Sequence, residues 1–543
     1  MWKKIEDYSL VFLGVLSIFS WLMPNHYLPW TTFHSDFVMS IAYGIPCLVF
    51  FFVCRQVQIQ FNSVHFIAII LFLACLASRI LGWVPYWTQT VLPAIYLSGF
   101  LLVVCLGQIL TEKYRDSISL VIFLPPLIAS VISVGLQLAQ WLHTPEYGIT
   151  DIWISGSNGI RPSANMNQPN QLGTLLLWGM ASIVWLRLKG DLGKVATSIA
   201  LVYLGFGVGL TLSRTAIFSF VVICLMFAII KFKVVRVKYL LIYALVGFSI
   251  YSAWNLHSIV PQWLGLNQFE YSEVEGLNRD NGLRLVIWKM FIEAGMSKVF
   301  FGFGPMMNLQ AQFSQLANYP MLDNVLYTNA HNIFLEIWIW FGLPLAVVVV
   351  TVFIKWILSL RWIFKKDLSE EQLFMFMLLV VLVHANLELP LHHAYFLLPA
   401  GLLVGALIAS DGHSPNRRVV LFSGQTLFLW SCVVFSTVLF IAHEYLQIER
   451  QVTIYRFKSH NILNTPNPEA PSLILLDQLA DQLWFNALDP KEKLDDFGII
   501  RAANYFKVRA DCDVALKFRS LSMVDGVQSI DPVLLNKIDA RCF

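Results

Sequence analysis

Apolar runs of roughly 17 to 25 residues, each long enough to cross a bilayer, recur along this chain and limit what it can fold into more than any other feature. The first follows a basic start, Lys3 and Lys4, and no small-x-small cleavage site precedes Pro24, so it reads as a retained span. Further runs lie near 37–54, 64–83, 90–110, 117–141, 170–188, 195–212, 215–231, 239–257, 332–357, 371–388, 391–410 and 419–442. The expectation is an all-α polytopic membrane protein of about thirteen transmembrane helices, with residues 1–442 as the transmembrane part. Composition agrees, since 57% hydrophobic and 13% charged residues leave too little polar surface to cover such a chain in water. A net charge of +3, dispersed among short loops, argues against a nucleic-acid partner.

Lys and Arg sort the loops into two sides. Lys3, Lys4, Arg55, Lys113 with Arg115, the run 187–194, KFKVVRVK at 231–238, Arg361 to Lys366, and Arg417 with Arg418 fall on the side taken as cytoplasmic. The opposite side receives the turns after Pro24 and Pro85, loops at about 142–169 and 258–331, and the tail from about 443. In the tail, LILLDQLADQLWFNAL and VALKFRSLSMV carry helical apolar spacing, and TPNPEAPS reads as a linker or turn. Residues 443–543 are therefore expected to form a small helical domain.

The stretch YTNAHNIFLEIWIWFGLP, Tyr327 to Pro344, sets a polar cluster at the mouth of an apolar helix on the outward side. His331 and Asn332 open it, and Glu336 follows Asn332 by one turn on the same face. The cluster is either a base at the membrane boundary or an interfacial His capping a transmembrane helix. Upstream, SGSNGIRPSANMNQPNQLG offers Asn158, Arg161, Asn165, Asn167, Gln168, Asn170 and Gln171. Such amides suit sugar hydroxyls or phosphate oxygens, or they only close turns and cap the helix that Pro169 starts. Arg161, Arg214 in GLTLSRTAIF and Arg284 in NGLRLVIWKMF are outward cations whose planar forks match phosphate oxygens; each alone would also serve as a snorkelling anchor. Lys289 and Lys298 are weaker candidates. FGFGP, Phe301 to Pro305, lacks a nucleotide-binding context and reads as a tight turn that lets backbone approach backbone. The acidic stretch Glu270 to Asp280 is a solvated loop or a divalent-ion site without recognisable ligand spacing. Glu388, His392 and His393 in ELPLHHAYFLLP either line the same mouth or cap it.

Taken in this order, RPSANMNQPNQLG, SRTA at 213–216, RLVIWK with GFGP, HNIFLEIWIWFGLP and ELPLHHAYFLLP resemble the PglL-type bacterial protein O-oligosaccharyltransferases of the O-antigen ligase superfamily. The resemblance covers about 150–400. It implies a GT-C-like membrane fold in the bacterial inner membrane with the active site facing the periplasm. It also implies transfer of a preassembled glycan from undecaprenyl-pyrophosphate to a Ser or Thr hydroxyl of a periplasmic, pilin-like protein, with inversion and with neither metal nor other cofactor. It makes His331 the catalytic base and puts Arg214 and Arg284 on the pyrophosphate. Arg161, Asn165, Gln168, Asn170, Asn332 and Glu336 are then expected to bind substrate. The sequence departs from the family at Thr215, where many relatives carry Gly, and at His392 and His393, where an aromatic is commoner. The alternatives are a ligase or polymerase acting on a sugar acceptor, and a transporter of lipid-linked glycan or solute. The lack of an internal repeat and the scarcity of acidic groups inside the spans speak against transport.

Six of the eight cysteines fall in or beside apolar runs, where a thiol acts as a small hydrophobe. Cys512 and Cys542 lie in the tail on the side taken as oxidising, and form either a bridge or two unlinked thiols. The bridge is expected. A membrane-impermeant maleimide added to intact spheroplasts should therefore label the tail only after reduction; labelling without reductant refutes the bridge, and no labelling after it refutes the assigned side.

Overall fold

The computed structural model describes the chain except residues 1, 55, 143–152, 156–160, 231–236, 267–273, 320–321, 323–324, 366–367, 412–417, 463–464, 490, 524–541 and 543, and except the side chains at 2, 227–230, 237–240, 274–282, 365, 418–419 and 522–523. Asn158, Arg55, Lys366, Arg417 and the side chains of Arg418, of the 231–238 run and of the Glu270 to Asp280 stretch lie outside the described residues.

Helix dominates, and its boundaries follow the apolar runs. In chain order come α1 (Trp2–Trp21), α2 (Phe33–Val53), α3 (Ser63–Ile80), α4 (Thr88–Lys113), α5 (Arg115–Trp141), α6 (Pro169–Lys189), α7 (Lys194–Leu210), α8 (Arg214–Ile230) and α9 (Val237–Trp263). The long loop expected at about 258–331 contributes α10 (Val274–Ser297) and α11 (Asn308–Gln315), followed by α12 (Ile333–Phe341), α13 (Leu343–Ser359), α14 (Glu370–Ala385), α15 (Ala394–Ser410) and α16 (Gly424–Ser459). The tail adds α17 (Asp477–Ala487), α18 (Asp496–Val508) and α19 (Cys512–Met523). Among the described residues seven helices are long and apolar enough to cross a membrane, namely α2 to α6, α13 with its extension to Phe364, and α16. Lys194–Leu210, Arg214–Met226 and Ala394–Ser410 are shorter apolar helices. The chain is thus a multi-pass membrane protein; the expected thirteen spans include helices that do not reach this length and apolarity.

The all-α expectation needs one addition. QVQIQF, β1 (Gln56–Phe61), pairs antiparallel with β2 (Arg418–Ser423), in register from Gln56 opposite Ser423 to Phe61 opposite Arg418. The charge pattern had put both segments on the same side, as such pairing requires. Contacts among the segments assigned to the other side obey the same logic. Asn165 Nδ2 donates to the Leu22 carbonyl at 2.7 Å, and the Trp87 and Thr88 amides donate to Asp477 at 2.9 and 3.0 Å.

The apolar run 332–357 is not one helix. It breaks at Gly342, whose φ of +89° belongs to the left-handed region. Pro344 then starts α13. The FGFGP turn fills the gap: Phe303 donates to the Ile339 carbonyl at 2.7 Å, Gly304 to Trp340 at 3.0 Å, and Leu343 donates back to Val299 at 2.7 Å. Backbone does approach backbone here, since a Cβ on Gly302 would meet the Ile339 oxygen at 2.6 Å and one on Gly342 the Phe300 oxygen at 2.3 Å.

The tail is anchored rather than hung. α16 runs unbroken through residue 443, so the compositional boundary falls inside a helix. Phe485, Tyr505, Phe506 and Phe518 pack with Phe313 and Leu316, in and just after α11, and Cys512 is bonded to Cys542 with Cα atoms 5.5 Å apart.

Replacing Gly342 by Ala adds a Cβ where the backbone has no room, at a φ that L residues adopt at a cost of about 1–3 kcal/mol before any clash. The variant should melt several degrees below wild type in detergent, and an unchanged melting temperature would show that the break relaxes freely.

Candidate active site

His331 precedes α12 and takes a left-handed φ of 51°. Three contacts hold it there. Asn332 caps α12, its Oδ1 accepting from the Phe334 and Leu335 amides at 3.1 Å each. Its Nδ2 donates to the Asn386 carbonyl at 3.3 Å. Glu336, fully buried on the first turn, reaches back to accept from the Ala330 amide at 2.7 Å. The two residues expected to bind substrate beside His331 therefore fix its backbone.

The imidazole meets Glu388, with Nδ1 3.0 Å from Oε2. An ionised carboxylate only accepts, so Nδ1 carries a proton, and in the neutral ring Nε2 then holds the lone pair. On Oε1 the same carboxylate takes Arg284 Nη2 at 2.8 Å and Asn170 Nδ2 at 3.2 Å. Burial pushes the Glu388 carboxyl up, but the hydrogen bond from His331 and the Arg284 guanidinium outweigh it and hold the group below the ordinary Glu value. Glu388 is therefore ionised at neutral pH.

Asn170 passes the network on. Its Oδ1 accepts from Ser213 Oγ at 2.7 Å and from Arg161 Nη2 at 3.3 Å, while Arg161 Nε donates to the Thr211 carbonyl at 3.1 Å. Ser213 Oγ also accepts from the Ala216 amide at 3.0 Å, as an N-cap does, and so sets Arg214 as the first residue of α8. Gly173 permits this meeting of α6 and α8, because a Cβ there would lie 2.4 Å from the Ala216 Cβ. Arg161, Asn170, Arg284 and His331 are thus joined through one carboxylate, with exposed Arg214 next to the network.

Two expected binders are occupied elsewhere. Asn165 bonds the backbone of Leu22, Trp153 and Ser155 and closes the loop. Gln168 caps α6 by accepting from the Gln171 amide at 2.7 Å. Lys289 pairs with Glu293 at 4.0 Å, and Lys298 lies over the Phe303 ring. Among the described residues no three His, Cys, Asp or Glu side chains group as a metal site. Glu388 is the residue that sequence reasoning undervalued: it was visible only as one acidic residue at an outer turn, while its partners are 57, 104 and 218 positions away.

Beside this network lies a cavity of about 670 Å³. Its walls are largely apolar, from Leu71 of α3, Phe100 of α4, Ile337 of α12, Phe353 of α13 and Leu382 of α14. It reaches Thr328 and Ile333, on either side of His331 in the chain, and its lining includes His392 and His393. An apolar chamber that reaches the residues flanking His331 suits a lipid chain.

Known families match the segments that carry these residues. The O-antigen ligase family matches residues 199–350, which hold Arg214, Arg284 and His331. A protein glycosylation ligase family matches 162–186, around Asn170, and the C-terminal part of a virulence factor membrane-bound polymerase family matches 372–495, which includes Glu388. A general O-oligosaccharyltransferase of Acinetobacter baylyi is 25% identical over 503 residues, covering 89% of this chain and 83% of its own length. A ComP-specific O-oligosaccharyltransferase of the same organism is 25% identical over 536 residues, covering 96% and 93%. Together these matches support a PglL-type O-oligosaccharyltransferase of the O-antigen ligase superfamily.

Glu388→Gln keeps the shape of the side chain but allows the amide to donate, which permits the other His331 tautomer. Turnover should fall roughly a hundredfold to ten-thousandfold while the protein still accumulates; near-normal turnover would remove Glu388 from the site's working parts.

Proposed function

We propose that the enzyme transfers a preassembled glycan from undecaprenyl-pyrophosphate to a Ser or Thr hydroxyl of a periplasmic protein, with a pilin-like acceptor, in the bacterial inner membrane. The observation that carries this reading is the shared carboxylate: Glu388 holds a His base and an Arg fork together beside an apolar chamber. His331 Nε2 takes the proton of the acceptor hydroxyl as its oxygen attacks the anomeric carbon. The bond from that carbon to the pyrophosphate oxygen breaks on the opposite face, so the centre inverts and undecaprenyl-pyrophosphate leaves. Negative charge grows on the departing oxygen, where Arg284 and Arg214 are placed to stabilise the transition state more than the ground state. His331, Arg214 and Arg284 do the chemistry and Arg161 and Asn170 position it; no metal ion is required. Residues 443–543 form the periplasmic helical part, and residues 1–442 the transmembrane part.

A second reading, a ligase or polymerase using a sugar acceptor, draws on the polymerase-type match over 372–495. The two are separated by the product, a glycosylated protein or a longer lipid-linked glycan.

His331→Ala should abolish modification of periplasmic proteins in a host that makes the lipid-linked glycan, with the enzyme still present in the membrane. Arg284→Lys should lose most activity despite keeping its charge, because the two-pronged geometry goes. Mass spectrometry of the periplasmic proteome reads both; normal glycopeptides in the His331→Ala strain would refute the mechanism, and loss of transfer in EDTA restored by Mg²⁺ would refute its metal independence.

A further inference from the structure

The tail's first helix is part of the cavity wall. Gln478 and Leu479 of α17 line the same chamber as Phe100 and Phe353. Their position is fixed from three directions. Glu444, buried on α16, accepts from three successive amides, Ile474 at 2.6 Å, Leu475 at 2.9 Å and Leu476 at 2.8 Å. Asp477 caps α4 through Trp87 and Thr88. Asp481 accepts from Tyr86 Oη at 2.8 Å and from Arg501 Nε at 2.6 Å. A side chain on so tightly held a helix keeps a constant place in the chamber.

Among the described lining residues, Gln478 shares with Glu336 and His393 a buried polar atom that makes no hydrogen bond within the chain, and it is the one carried by the tail. Its amide oxygen Oε1 is buried and makes no hydrogen bond within the chain. A buried carbonyl of this kind is costly unless something donates to it. Elsewhere the lining carries Thr31, Thr32, Thr328, His392 and His393, hydroxyls and imidazoles in a largely hydrocarbon chamber. A polyprenyl chain has no donor to offer. A sugar ring carried on the same lipid has several.

We propose that Gln478 is a specificity residue for the donor: its Oε1 accepts a hydroxyl of the sugar attached directly to the lipid pyrophosphate, so that the tail reads the glycan. This rests on the chamber being the seat of the lipid-linked donor. The acceptor protein is the less suited occupant, because Gln478 shares its chamber with the apolar walls that would hold the lipid.

The test uses the full-length enzyme, a purified acceptor protein, and undecaprenyl-pyrophosphate glycans whose first sugar lacks one hydroxyl at a time. For one of these deoxy donors the wild type should show a donor KM about tenfold above that for the complete glycan. Gln478→Met, close in volume but without the acceptor, should use both donors with the same raised KM and a kcat near that of wild type. Gln478→Ala carries the same comparison if the Met variant does not accumulate, and melting temperatures control for folding. The proposal is overturned if the variants keep the wild-type preference among the deoxy donors, or if only the KM for the acceptor protein rises. Failure of the donor reading itself looks different, because the wild type would then transfer nothing from any lipid-linked glycan.

Discussion

The Glu388 carboxylate holds the site together. A mostly buried charge is tolerated only when it is paired and hydrogen-bonded, and here both oxygens are engaged. The partners come from three separate stretches, the loop before α12, the helix α10 and the start of α6, and the carboxylate itself lies on the turn after α14. None is near another in sequence. Removing the carboxylate would leave Arg284 without its counter-charge and His331 without the acceptor that sets its tautomer, so the electrostatics of burial and the geometry of the base are one constraint.

That constraint works only because the His331 backbone cannot wander. A left-handed residue beside a helix start would sample other conformations were it not for Asn332 capping from one side and Glu336 reaching back from the other. The helix they stabilise is short, nine residues, and ends where FGFGP takes over its carbonyls. Preorganisation of this kind places a catalytic group to within a fraction of an ångström without relying on the loop's own stiffness.

Much of this was legible in the sequence, for identifiable reasons. Helix boundaries followed hydropathy because a bilayer demands length and apolarity, and FGFGP announced a close backbone approach through its glycines. His331, Arg284 and Asn170 were marked as polar groups in apolar or amide-rich settings. What could not be read was pairing across distance. Glu388 gave no local sign of its three partners, and β1 and β2 had nothing to show that they would meet, β2 having been absorbed into an apolar run. The break at Gly342 was hidden too, because FGLP continues the apolar composition on both sides of it and hydropathy does not sense backbone angle. Asn165 and Gln168 illustrate the converse: amides suited to sugars were used to close a loop and to cap a helix.

The arrangement also bears on how an arginine shared with a carboxylate can serve a pyrophosphate. Only Nη2 of Arg284 is bonded to Glu388, so the pair fixes the orientation of the plane through one prong of the fork. On the proposed mechanism an incoming diphosphate brings more negative charge than Glu388 holds. Binding therefore need not break the pair. On that mechanism the guanidinium is oriented before charge builds on the leaving oxygen, and the energy that would be spent on turning a flexible side chain has been spent in folding. Glu388 then orients, on the proposed mechanism, both the base and the cation, since each is bonded to one of its oxygens.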